Sequence, residues 1–131
     1  MSTHTGHRTV IASALTAIAL SLLLNACGGA GKGQELKDAD TYLSLNKTKK
    51  AAELYAKARV ADPSDATALV GLGKCLAAEG KLEEALKQFQ HVIKESPATE
   101  EAFWQAADVL TMLGRDTEAL DLATQYAALS P

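Results

Sequence analysis

The sequence predicts an all-α protein, a short α-solenoid of three helix-turn-helix repeats with six helices. Prolines recur every 34 residues, at Pro63, Pro97 and Pro131. Alanines recur at the same spacing, at Ala51, Ala85 and Ala119. Between these markers, apolar residues follow steps of three and four, as on one face of a helix, and no segment alternates with the two-residue period of a strand. Such a period, with small residues in both halves, indicates paired helices that pack closely and stack in an array.

Residues that end helices set the predicted boundaries. Gly80 stands where a helix must stop, since glycine takes the left-handed conformation without penalty, and Asn46 and Gly114 stand 34 residues to either side of it. Pro97 cannot continue a helix and disfavours helical geometry in the residue before it. The predicted helices are 34–45, 47–61, 66–79, 82–95, 100–113 and 116–129.

This pattern resembles that of the tetratricopeptide repeat (TPR) family. Residues 66–97 match best, with the signature positions held by Leu69, Leu72, Gly73, Leu76, Gly80, Ala85, Phe89 and Pro97. The third repeat matches less closely, because Ala123 stands where an aromatic is usual and Tyr126 where a small residue is usual. The resemblance implies a TPR domain at 34–131, with repeats at about 32–65, 66–99 and 100–131.

Residues 1–26 resemble the signal peptide of a bacterial lipoprotein. Arg8 and the amino terminus precede an uncharged, mostly apolar run, and segment 24–27, Leu-Asn-Ala-Cys, resembles a lipobox. This implies acyl chains on Cys27, a Gly-rich tether through residue 33, and anchoring in the cell envelope. Gly28, where similar lipoproteins retained at the inner membrane carry Asp, favours the outer membrane facing the periplasm. An ordinary signal peptide cut after Ala26, or an uncleaved anchor, is the alternative.

Charge and composition argue against nucleic-acid binding and catalysis. The three repeats carry net charges of +1, 0 and −5, with no basic stripe for phosphates. His91 has no Cys or His partner nearby, and Cys75 reads as a small buried apolar residue. We therefore expect no enzyme activity, no metal site and no cofactor.

The resemblance implies a partner-binding groove on the first helix of each pair. The predicted groove residues are Leu36, Asp40, Leu43, Val70, Lys74, Ala77, Trp104, Asp108 and Met112. One TPR subclass holds a peptide carboxylate with basic side chains. The corresponding positions here hold Leu36, Asp40, Gly71, Glu101 and Gln105. None is basic, so the groove suits an apolar or mixed segment. Trp104, the only tryptophan, either points into the groove or packs on the neighbouring helix.

The last predicted helix carries a candidate interface. Leu122, Tyr126 and Leu129 share one face, part of which we expect to remain open as a C-terminal edge. Leu120, Ala123 and Ala127 are expected to pack on the partner helix and the second repeat. Since no capping helix follows Pro131, we expect a second copy, forming a homodimer, or the partner protein to cover this edge.

These features predict a membrane-anchored scaffold or adaptor that binds a protein partner in the bacterial envelope. Pilus assembly, secretion and envelope biogenesis are the candidate pathways, inferred from architecture alone. The alternative is a periplasmic chaperone-like protein or a regulatory subunit of an envelope enzyme complex, with no catalysis of its own.

Overall fold

The computed structural model describes residues 31–130, and within that range it contains six α-helices and no strand. Helix α1 covers residues 31–44. The helices that follow are α2 (Thr48–Ala61), α3 (Ala66–Ala78), α4 (Leu82–Glu95), α5 (Glu100–Met112) and α6 (Asp116–Leu129). The all-helical, six-helix prediction is confirmed, with ends that differ from the predicted ones by only a few residues.

Residues 31–33, which were predicted to belong to the Gly-rich tether, are helical, and the rest of the predicted tether lies outside the described residues. Glycine lowers helix stability by about 1 kcal/mol relative to alanine, but extending an existing helix is easier than starting one. The signal peptide, the lipobox and Cys27 lie outside the described residues.

The segment Glu35–Pro131 forms a unit of its own, and the description below concerns that unit. No helix within residues 31–130 is long and apolar enough to cross a bilayer.

The turn within each helix pair has one repeated geometry. Its central residue has a left-handed backbone: φ is 58° at Asn46, 80° at Gly80 and 72° at Gly114. The next backbone N–H then donates to a carbonyl five residues earlier, at 2.8 Å from Lys47 to Tyr42, 2.9 Å from Lys81 to Leu76 and 2.8 Å from Arg115 to Leu110. This bond satisfies a carbonyl at the helix end that would otherwise lack a partner. The three pairs therefore turn in the same way.

Small residues set the spacing between helices. Ala51, Ala85 and Ala102 are fully buried. At Gly71, an added Cβ would lie 2.3 Å from Cε1 of Tyr55, and at Gly73 it would lie 2.5 Å from Cε1 of Phe89. These contacts let Tyr55 and Phe89 fill the space between α2, α3 and α4. Each helix from α2 onward packs against the next one, and α5 also contacts α3.

Candidate peptide-binding groove

A cavity of about 310 Å³ opens on the side of the array formed by α1, α3 and the start of α5. Successive first helices of the pairs face the same side, which brings their side chains into one surface. The lining residues are Asp40, Leu43, Ser44, Thr67, Val70, Gly71, Lys74 and Glu101. Four of the predicted groove residues, Asp40, Leu43, Val70 and Lys74, are therefore brought together.

The charged groups of the cavity are paired across helices. The Tyr55 hydroxyl, on α2, donates a hydrogen bond to the Asp40 carboxylate on α1. Burial of Tyr55, together with this bond and the negative charge of Asp40, raises the tyrosine's pKa above its ordinary value. Lys74 Nζ lies 2.8 Å from Glu101 Oε1, which ties α3 to α5. With two carboxylates against one lysine, the cavity wall carries an excess of negative charge.

The remaining predicted groove residues lie outside this cavity. Leu36 is half-buried against the cluster of Ala39, Ala51 and Tyr55. Ala77 packs against a separate core cluster that includes Leu86 and Phe89. Asp108 and Met112 are exposed on α5. They fall on the last repeat, where no further described helix forms an opposite wall.

Trp104 packs on the neighbouring helix while about half of its surface stays exposed. Its ring centroid lies 5.8 Å from that of Tyr126 on α6, and its Nε1 donates to Glu100 Oε1 at 3.0 Å. It does not line the cavity. Of the two interpretations of Trp104, the structure favours packing on the neighbouring helix.

Sequence reasoning missed two cavity residues, Ser44 and Thr67. Small polar residues carry little signal of their own. However, Thr67 and Glu101 stand 34 residues apart and so occupy the same repeat position. That equivalence could have placed Thr67 beside the cavity.

The C-terminal edge differs from its expected arrangement. Leu122 is half-buried against the core cluster, and the Tyr126 ring lies 5.3 Å from that of Phe103. Leu129 is exposed. Leu120, Ala123 and Ala127 are exposed too, so the expectation that they pack between helices was wrong. Side chains at these positions are buried only when a following helix covers them, and the described residues contain none after α6.

Cys75 is suited to packing and not to thiol chemistry. It lies buried beside Tyr55 and Ala51, and burial, followed by the charge of Glu79, raises its pKa to about 11. The thiol is therefore neutral at physiological pH, where only the thiolate is strongly nucleophilic. Within residues 31–130, no group of three or more His, Cys, Asp or Glu side chains could hold a metal ion.

Comparison with known proteins agrees with this architecture. A family model, described as tetratricopeptide repeat, matches residues 36–98 and 79–131. No curated protein matches the chain. Among solved structures, the type III secretion translocator chaperone SycD of Yersinia enterocolitica aligns with a TM-score of 0.66 at 24% identity, over 76% of this chain and 78% of SycD.

Two further structures are those of peptide-binding TPR proteins. YrrB, a TPR protein with an unusual peptide-binding site, aligns with a TM-score of 0.66 at 26% identity, over 76% of this chain and 52% of YrrB, about half of its length. The second TPR domain of Spaghetti, bound to the HSP90 peptide SRMEEVD, aligns with a TM-score of 0.66 at 22% identity, over 76% of this chain and 92% of that domain. The family model matches most of this sequence, and the helix pairs of the chain are arranged as in these TPR structures. The chain therefore belongs to the tetratricopeptide repeat family.

Proposed function

We propose that this protein is a non-catalytic adaptor that binds a segment of a partner protein in the cavity between α1, α3 and α5. The observation that carries the proposal is the cavity itself, which is open and bounded by three helices of successive repeats. YrrB and the Spaghetti domain, which share the fold, are described as peptide-binding. An extended peptide or a helix could contact several repeats at once on such a surface.

The chemistry of the cavity indicates which segments it accepts. Leu43 offers apolar contact, while Asp40 and Glu101 offer hydrogen-bond acceptors. Among the described residues that line the cavity, Lys74 is the only cation, and it is already paired with Glu101. A segment with apolar side chains and a Lys or Arg therefore fits, whereas an acidic peptide end would meet like charge. This preference differs from that of the Spaghetti domain, whose bound peptide is acidic.

Site-specific photo-crosslinking tests the groove. A photoreactive amino acid at Ser44 or at Thr67, both exposed and lining the cavity, should capture the same protein. The same amino acid at Ala56, exposed on α2 and outside the cavity, is the matched control. Capture of that protein from Ala56 as efficiently as from Ser44 and Thr67 would contradict binding in the groove.

The proposal also places the adaptor in the bacterial envelope, anchored by acyl chains on Cys27 and, in a cell with two membranes, at the outer one. It is supported by the resemblance of segment 24–27 to a lipobox. Labelling with a tagged fatty acid should mark the wild type and a Cys75→Ser variant but not Cys27→Ser. Label on Cys27→Ser would show that the lipid assignment is wrong.

A further inference from the structure

The last repeat exposes a surface that the preceding repeat buries. Val70 on α3 is 2% exposed and Leu86 on α4 is 3% exposed. The residues 34 positions later, Trp104 and Leu120, are 52% and 68% exposed. Val70 and Leu86 belong to one core cluster and are covered because α5 packs against both α3 and α4. By repeat equivalence, Trp104 and Leu120 therefore belong to one continuous surface that a further helix would cover.

The exposed surface has a shape that suits a helix. We define it as the open edge, formed by Trp104, Leu120, Ala123, Tyr126 and Ala127. Ala123 and Ala127 are exposed, lie one helical turn apart on α6, and share a face with Leu120. Their small side chains allow a helix backbone to approach closely, as Gly71 allows α3 to approach Tyr55. The large side chains of Trp104 and Leu120 supply the apolar contact.

The last repeat, which carries the open edge, has an excess of negative charge. Of its carboxylates, Glu101 is paired with Lys74 of α3 and Glu118 with Arg115. Residues 98–131 carry six carboxylates and one cation, Arg115. That guanidinium is already paired, with Nη2 2.7 Å from Glu118 Oε2 and Nη1 3.4 Å from Glu83 Oε2. Glu100 borders the open edge, since it accepts the hydrogen bond from Trp104. Partial burial of Tyr126 and the neighbouring Glu100 raise the pKa of the tyrosine. A partner that covers this edge needs positive charge at its margins.

A second copy of the chain does not supply that charge and shape. Two open edges placed face to face would bring their carboxylates together. In a head-to-tail arrangement, α1 of the second copy would pack on α6 of the first copy, as α5 packs on α4 within the chain. The face that α1 would present carries Lys37, Asp38 and Thr41, all polar and exposed, where α3 has Gly71, Leu72 and Cys75. That face lacks the apolar side chains needed to bury Leu120.

We propose that the open edge is a second docking surface, separate from the groove, for a cationic amphipathic helix of another protein. One face of that helix carries small and apolar residues that pack on Leu120, Ala123 and Ala127. Lys or Arg at its margins faces Glu100 and those carboxylates of the last repeat that are not already paired with Lys74 or Arg115. Docking continues the array by one helix and buries Trp104 as Val70 is buried.

The single tryptophan gives a direct test, because Trp104 lies in the proposed interface. The full-length protein is titrated with two synthetic helical peptides of about four turns, roughly the length of α6. Both carry the same face of Leu and Ala, and they differ only in having Lys or Glu at the margins. We expect the Lys peptide to shift Trp104 emission to the blue in a saturable manner, with binding weakened by salt. The Glu peptide should bind at least tenfold more weakly.

Two variants with the same change separate docking from general charge attraction. Leu120→Glu places a carboxylate in the edge, and Val60→Glu places one on α2, where Val60 is 84% exposed. Each adds one negative charge, so nonspecific attraction would strengthen binding of the Lys peptide to both. Docking predicts a loss of at least tenfold in Leu120→Glu only, with unchanged helicity in both variants.

Three results would overturn the proposal. These are equal affinity for the Lys and Glu peptides, unchanged or tighter binding of the Lys peptide to Leu120→Glu, and a blue shift that depends on protein concentration without any peptide. The last result would assign the open edge to a second copy of the chain.

Discussion

The close approach of α3 to α2 can be tested by a single added methyl group. Gly71 is buried, and a Cβ built there would lie 2.3 Å from Cε1, 2.4 Å from Cδ1 and 2.5 Å from Cζ of Tyr55. Real Cβ atoms are not found so close to other atoms, so Gly71→Ala requires α3 or the tyrosine ring to move. The ring has little room, because Tyr55 is fully buried and its hydroxyl is hydrogen-bonded to Asp40.

Two opposing effects determine the result for Gly71→Ala. Alanine stabilises a helix interior by about 1 kcal/mol relative to glycine. Overpacking a close contact costs about 1–3 kcal/mol, and three short contacts to a fixed ring place this site at or above the upper end of that range. We therefore expect a net loss of about 2 kcal/mol in the free energy of unfolding. For a domain of this size, that corresponds to a fall of roughly 8–16 °C in Tm.

Far-ultraviolet circular dichroism, followed through thermal and urea denaturation, measures this loss. Gly33→Ala is the matched control, since a Cβ there meets no atom within 4 Å and should leave stability unchanged or slightly higher. In a Tyr55→Leu background, which is itself destabilised, Gly71→Ala should become neutral or stabilising. A higher Tm for Gly71→Ala in the wild-type background would refute the close packing of α3 on Tyr55.

Three further predictions follow. Ala85→Leu, at a fully buried position, should lower the free energy of unfolding by about 1–3 kcal/mol. Ala78→Leu, at an exposed position, should change that free energy little. Equal losses in Tm for the two variants would contradict the assigned helix faces. Trp104→Ala should leave the far-ultraviolet spectrum helical and should weaken binding of a fluorescently labelled Lys peptide at the open edge, and unfolding at room temperature would instead place Trp104 in the core. Burial raises the pKa of Cys75 to about 11 from an ordinary value of 9.0, so its contribution to stability is complete below pH 9 and is lost as pH rises towards 11. Stability measured over that interval should therefore fall less in Cys75→Ala than in the wild type, and identical pH profiles would contradict the thiol's contribution.

Much of the fold was predictable because the signals that end helices are local. Gly80 ends its helix through its own left-handed backbone, and Pro97 through its ring and missing N–H. The spacing of these residues fixed three helix pairs, and equivalent small residues such as Ala85 marked the close contacts. Repeat position also placed Asp40, Leu43, Val70 and Lys74 on the side of the array where the cavity lies.

Cross-helix partners in the cavity came only from the tertiary structure. The bond from Tyr55 to Asp40 joins α2 to α1, and the ion pair of Lys74 with Glu101 joins α3 to α5. Each depends on the distance and rotation between helices far apart in sequence. No pattern within a single helix carries that information, so the charge balance of the cavity could not be read from composition.

The same limit applies to burial at the end of the array. Val70 and Trp104 occupy one repeat position, as do Leu86 and Leu120, so the sequence predicts the same environment for both members of each pair. In the structure, the first member is buried and the second is exposed, because α5 covers α3 and α4 while no described helix covers α5 and α6 in the same way. The sequence by itself determined which residues face a neighbouring helix. Only the tertiary structure decided whether that neighbour is present, since burial depends on atoms supplied by another part of the fold.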